Sequence, residues 1–170
     1  MNIDRLIQQL RIHEGSEMVA YEDTTGHLTI GIGHNLDKRH SQSDIESIGA
    51  DWVKIRQGTQ SLSEEQIEQL LEIDLEGIED KALLIVPCYK TLNEVRQRVV
   101  CDMLFNLGPS KLKKFKNTIK HICRGEYILA SEGMKASLWA KQVKGRASVL
   151  ISMMRTGKDV YEFDSQTEDV

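Results

Sequence analysis

Along most of this chain apolar residues recur every three to four positions, and one stretch breaks that rhythm. Within residues 18–34, Val19 to Tyr21 and His27 to Ile32 flank the polar run Glu22-Asp23-Thr24-Thr25-Gly26. A polar cluster closing on glycine between two β-type runs is a hairpin signal. Gly31 and Gly33 alternate with Ile30 and Ile32, so the backbone there can lie close to other groups. A hairpin near the start of an otherwise helical chain predicts the α+β class, mainly α.

The helical rhythm supplies the other parts. Ile3, Leu6, Ile7 and Leu10 form one stripe of a helix over residues 2–13. Gly15 is a natural stop for it, because glycine tolerates the left-handed backbone that follows a helix end. Glu14 then falls at the helix C-terminus, where the dipole disfavours negative charge. Ser63-Glu64-Glu65-Gln66 has the form of a capping box, and Ile67, Leu70, Leu71, Leu75 and Ile78 follow at helical spacing. This predicts one long helix to about Ile85, with Pro87 behind it. Val95, Val99, Met103 and Leu104 share a face of a helix ending near Gly108-Pro109, and helices are expected over 112–122, 128–138 and 146–155. Residues 35–60 are mixed and polar, with short helical possibilities. The expected organisation is an N-terminal lobe with a hairpin (1–62), an interlobe helix (63–86), an all-helical lobe (87–157) and an acidic tail (158–170). A cleft between such lobes is a usual place for a ligand.

Composition narrows the function classes. Hydrophobic residues at 40% and charged residues at 28% are ordinary for a globular chain. No apolar run approaches the roughly 18 residues that span a bilayer, and residues 1–9 lack the basic and apolar regions of a secretory signal. The expectation is a protein held in the cytoplasm without stable membrane insertion. Cys88, Cys101 and Cys123 are odd in number and lack CxxC spacing. They predict neither a disulfide framework nor a zinc site, and are expected to be small buried hydrophobes. The net charge of −4 conceals an asymmetry: residues 1–80 hold 17 acidic and 6 basic side chains, residues 81–157 hold 4 and 15. A basic half suits a polyanionic partner, either nucleic acid or a carboxylate-rich bacterial wall; it also suits simple attraction between the halves. No helix-turn-helix signature or aromatic stacking set supports the nucleic-acid reading.

Glu14, Asp23 and Thr29 are the candidate chemistry. Glycoside hydrolysis uses two carboxyl groups, one protonated to serve the leaving oxygen and one ionised to steer a water or attack. A shielded carboxyl at a helix end suits the acid; a carboxylate among the N–H groups of a polar turn stays ionised. Thr29, on the returning strand, can hydrogen-bond a water beside Asp23. On spacing alone such acid pairs are common.

Arg11-Ile12-His13-Glu14-Gly15, Tyr21-Glu22-Asp23-Thr24-Thr25-Gly26 and Thr29-Ile30-Gly31-Ile32-Gly33-His34 resemble the active-site region of the phage lysozyme (endolysin) family, as found in T-even bacteriophages. The stretches Ser63 to Ile78, Val95 to Gly108, Phe115 to Thr118, Trp139, Arg146 and Arg155-Thr156-Gly157 have counterparts in it too. The resemblance implies a lysozyme-like fold of two lobes. It implies a muramidase cutting the β-1,4 bond between N-acetylmuramic acid and N-acetylglucosamine in peptidoglycan, with Glu14 as acid and Asp23 and Thr29 positioning water, in an inverting reaction. It makes His34 and Asp74 a salt-bridged pair, and Arg146 the partner of the catalytic Glu. It puts Asn35, Phe105, Thr118 and Gly133 at sugar-contacting positions, although Asn35 and Gly133 differ from the family's residues there. No metal or other cofactor is implied, and the chain is expected to be a monomer. A holin, not in direct contact, would release it from the host cytoplasm to lyse the cell. Two rival readings are a lytic transglycosylase, which dispenses with a water-steering carboxylate, and a wall-binding protein of the same fold without activity.

Overall fold

A computed structural model describes residues 1–162 of the chain. Its elements follow in the order α1 (Ile3–Glu14), β1 (Glu17–Glu22), β2 (Leu28–Gly31), β3 (His34–Asn35), α2 (Ser41–Ser47), α3 (Trp52–Gln57), α4 (Glu64–Leu75) and α5 (Ile78–Ile85). A 3-10 turn at Tyr89–Thr91 leads to α6 (Glu94–Leu107), α7 (Pro109–Leu112), α8 (Lys116–Cys123), α9 (Tyr127–Ala136) and α10 (Leu138–Thr156). The fold is α+β and mainly helical, as the sequence predicts. It divides into two compact units: Ile7–Glu76, and Met1–Leu6 together with the chain from Gly77 on.

In the first unit the three strands form an antiparallel sheet in the order β1-β2-β3. Tyr21 pairs with Thr29 and Glu22 with Leu28 across the hairpin, and Thr29 pairs in turn with Asn35. The β3 strand extends the expected hairpin to a three-stranded sheet. The sheet packs on α4, burying Ile30 and Ile32 with Ile67, Leu70 and Leu71. Ile45 of α2 and Ile55 of α3 are also fully buried. The capping box forms: Ser63 Oγ accepts from Gln66 N at 3.1 Å and Gln66 Oε1 accepts from Ser63 N at 3.0 Å.

The second unit packs α9 against α8 and α10, and α6 against α5 and α10. Val99, Met103, Met134, Leu150, Met153 and Met154 form its core. Arg98 is fully buried and is held by Glu94 Oε1 at 2.9 Å and by Asp159. That pairing is what lets a guanidinium sit in an apolar interior. Inside α10, Lys144 has φ 31° and ψ −95°, so two helical stretches meet there.

Two expectations are corrected. The single helix from Ser63 to about Ile85 is two helices, because the chain leaves helical geometry at Glu76 (φ −57°, ψ 123°) and turns left-handed at Gly77 (φ 67°). The connector expected at 63–86 is thus divided between the units. The cysteines are not all unpaired: Cys88 and Cys123 form a disulfide, with Cα atoms 5.3 Å apart and a separation of 35 positions in sequence. A count of cysteines carries no information on which side chains the fold brings together. Cys101 alone is the free, buried cysteine expected. The acidic tail lies outside the described residues from 163 on.

Candidate active site

The three candidate residues all belong to the first unit. Glu14 is the last residue of α1, half-buried, with Gly15 N bonding back to Arg11 O at 3.1 Å. Asp23 opens the turn between β1 and β2. Its Oδ1 accepts three hydrogen bonds: from Thr25 N and Thr25 Oγ1, each at 2.8 Å, and from His27 N at 2.9 Å. These donors favour the charged form, the His27 N–H most of all, and hold the carboxyl below its ordinary value. The polar turn read from the sequence therefore has a function beyond reversing the chain: it supplies the donors that fix a carboxylate.

Thr29 sits on β2, buried, and its hydroxyl donates to His27 O at 3.1 Å. With its hydrogen engaged, its oxygen can serve a further partner only as an acceptor. The sequence reading missed Tyr21, which pairs with Thr29 across the sheet. Burial raises its phenol above the ordinary value, and the negative charges of Glu14, Glu17 and Asp23 raise it further. Tyr21 thus stands within electrostatic reach of both candidate acids. Its place in the quoted Tyr21-to-Gly26 block was the available signal.

His34 and Asp74 are brought together. The His34 ring meets Asp74 Oδ2 through Nδ1 at 2.8 Å and Ser41 Oγ through Nε2 at 3.0 Å. Ser41 gives its own hydrogen to Asn35 O at 2.6 Å. With its hydrogen given to Asn35, the serine oxygen accepts from the ring at Nε2. This joins the sheet to α2 and α4. Asn35, on β3, turns its Oδ1 to Asp37 N at 2.8 Å. No group of three or more His, Cys, Asp or Glu able to hold a metal occurs among the described residues.

The other candidates lie in the second unit. Thr118 on α8 and Gly133 on α9 line one cavity of about 730 Å³, with Phe115, Trp139, Asn117 and Gln142 among its walls. Trp139 packs edge-on to Phe115, with ring centroids 6.2 Å apart, and donates to Asn106 Oδ1 at 2.8 Å. Lys111, Lys114 and Lys116 also line it. Phe105 is half-buried on α6 and does not line this cavity. Arg146 is held by the fully buried Asp102, through Nε at 2.9 Å and through a terminal nitrogen at 2.7 Å. The aspartate was not singled out from the sequence.

A small three-stranded sheet beside helices, with a clamped aspartate in its hairpin turn and a glutamate at the end of α1, is consistent with the lysozyme class of glycoside hydrolases. Comparison with known proteins gives the particular family: the chain belongs to the phage lysozymes, whose pattern matches residues 11–155. It is 30% identical over 164 residues to "Probable T4-type lysozyme 2" of Dictyostelium discoideum, covering 91% of this chain and 96% of that protein. It is 29% identical over 159 residues to the "Pre-baseplate central spike protein Gp5" of Enterobacteria phage T4, covering 89% of this chain and 28% of that protein. The "Endolysin" of Salmonella phage P22 is 30% identical over 106 residues, 61% of each chain. The chain is thus a glycoside hydrolase, a muramidase-like hydrolase of peptidoglycan.

Proposed function

We propose that this chain cleaves the β-1,4 bond between N-acetylmuramic acid and N-acetylglucosamine, with Glu14 as general acid and Asp23 and Thr29 holding the attacking water. The observation that carries this is the three-donor clamp on Asp23 Oδ1, which keeps the carboxylate ionised while its second oxygen takes none of those bonds. That second oxygen accepts one hydrogen of the water, and the Thr29 oxygen accepts the other. The water's lone pair is left for the anomeric carbon. Glu14 gives its proton to the glycosidic oxygen as the C–O bond breaks, the water oxygen bonds to the anomeric carbon, and a water proton passes to Asp23. Attack by water from the face opposite the leaving group inverts that centre. Asn35, Phe105, Thr118 and Gly133 are proposed as glycan contacts. For the last two, the mixed aromatic and amide lining of their cavity suits a sugar's apolar face and its hydroxyls. We place the chain, as a monomer, in the host cytoplasm until a holin-type protein opens the membrane. No direct contact with that protein is proposed; no described helix is long and apolar enough to cross a membrane.

One experiment covers the chemistry and the release. Wild type and Glu14→Gln are expressed in a Gram-negative host and also assayed on purified peptidoglycan. The wild-type culture is expected to clear only when chloroform is added, and to release α-configured reducing ends from purified wall. Glu14→Gln is expected to lose at least about 10²-fold in rate, the usual scale for a general acid. Near-normal rates for the folded variant overturn the role of Glu14. Retained β products overturn the water-steering role of Asp23, and anhydro-muramic products assign the chain to the lytic transglycosylases. Clearing without chloroform overturns the release route.

A further inference from the structure

The Cys88–Cys123 bridge ties the turn after α5 to the last residue of α8. It does not lie in the core: Cys123 is exposed and Cys88 half-buried. Both sulfur-bearing residues line a surface groove of about 440 Å³ with Pro87, Lys116, Ile119 and Lys120. Positions 116, 119, 120 and 123 fall on one face of α8, so two exposed ammonium groups stand on the same face as Cys123. We propose that Cys88–Cys123 is a thiol–disulfide exchange site for small anionic thiols of the glutathione class, and that the stability of the C-terminal unit follows its redox state.

The chemistry needs only the thiol named. A glutathione thiolate attacks Sγ of the exposed Cys123; the S–S bond breaks and Cys88 leaves as a thiolate, which takes a proton. A second glutathione thiolate attacks the mixed disulfide, releasing Cys123 as a thiol and glutathione disulfide. Oxidised glutathione drives the reverse reaction, in which two protein thiols are oxidised and two glutathione thiols are formed. Lys116 and Lys120 draw the anionic thiol into the groove and steady the thiolate that develops there. The third cysteine takes no part. Cys101 is fully buried beside the Tyr89 hydroxyl at 3.3 Å, and burial pushes its thiol up to about 12. Closing a loop of this length restricts the unfolded chain, so the reduced form loses that contribution. A reducing cytosol and an oxidising compartment outside it hold two forms of different stability.

The test uses the full chain and does not depend on the muramidase reading. Thermal unfolding is followed by circular dichroism for oxidised wild type, reduced wild type and the Cys88→Ser/Cys123→Ser variant. Reduction is expected to lower the wild-type Tm by roughly 5–15 °C and to leave the double variant unchanged. Thiol release from the native oxidised protein is then followed by alkylation and mass spectrometry. Glutathione is expected to open the bridge at a rate insensitive to mild urea. Lys116→Gln/Lys120→Gln is expected to slow that reaction several-fold while leaving reaction with neutral mercaptoethanol unchanged. Equal Tm values for both redox forms, or release that rises with urea in step with global unfolding, overturn the proposal. Equal slowing with both thiols overturns the part assigned to the lysines.

Discussion

A methyl group at Gly133 would sit 2.5 Å from Thr118 Oγ1, closer than any stable contact. Thr118 is buried and β-branched on a helix, so it has little room to move aside. Gly133→Ala therefore sets two effects against each other. Alanine gains roughly 0.5–1 kcal/mol over glycine inside a helix, while overpacking costs about 1–3 kcal/mol. The net expectation is a loss of about 1 kcal/mol in urea unfolding. Thr118→Ala/Gly133→Ala removes the clash and keeps the helix gain, so it should be more stable than Thr118→Ala alone. A double variant less stable than Thr118→Ala would remove the contact as the reason for this glycine. From the sequence Gly133 was only a departure from its family's residue; its reason lies on another helix. Glu14 and Asp23 were readable as candidates, because the glycine after one and the polar turn around the other are local signals and both fall in the stretches that resemble the family. Tyr21, Ser41 and Asp102 were not, since each acts through a partner that only the fold supplies.

Gly77 poses the corresponding question for an element. Leu75 and Ile78 are three apart, a step that a continuous helix and a broken one share, so the apolar period ran through the break unseen. The glycine was the remaining cue, and its left-handed conformation is what divides α4 from α5. A Cβ at this position meets nothing within 4 Å, so a substitution there reports backbone strain alone. Gly77→Ala is expected to cost about 1–2 kcal/mol, and Gly77→Asn less, because asparagine tolerates the left-handed region. Urea midpoints at unchanged m-value would measure both. An alanine variant as stable as wild type would mean that the two helices fuse into one without penalty, as the sequence alone suggested. The capping box of α4 was legible because its reciprocal bonds join residues three apart. The disulfide was not, because its two ends meet only after α5 and α8 have packed into the same unit.

At the scale of the molecule the charges are sorted by position: the acidic excess lies before residue 81 and the basic excess between 81 and 157. Lys111, Lys113, Lys114, Lys116 and Lys120 are all exposed, and three of them line the cavity that holds Thr118 and Gly133. Peptidoglycan stems carry carboxylates, and a field of this sign raises the encounter rate with such a surface. Exposed charges are screened beyond roughly 8 Å at physiological salt, so wall affinity is expected to fall steeply as salt rises. Cleavage of a short neutral chitin-type oligosaccharide, which offers no carboxylates, should change little over the same range. Reversing Lys113, Lys114 and Lys120 to glutamate should reproduce the high-salt behaviour at low salt, with thermal unfolding confirming that the fold survives. Cosedimentation with wall sacculi across a salt series measures the affinity directly. If the reversed protein still sediments as well as wild type, the basic surface does not serve the wall. Nucleic-acid retention assays on the same two proteins would then decide whether it serves the other polyanion that its charge suits.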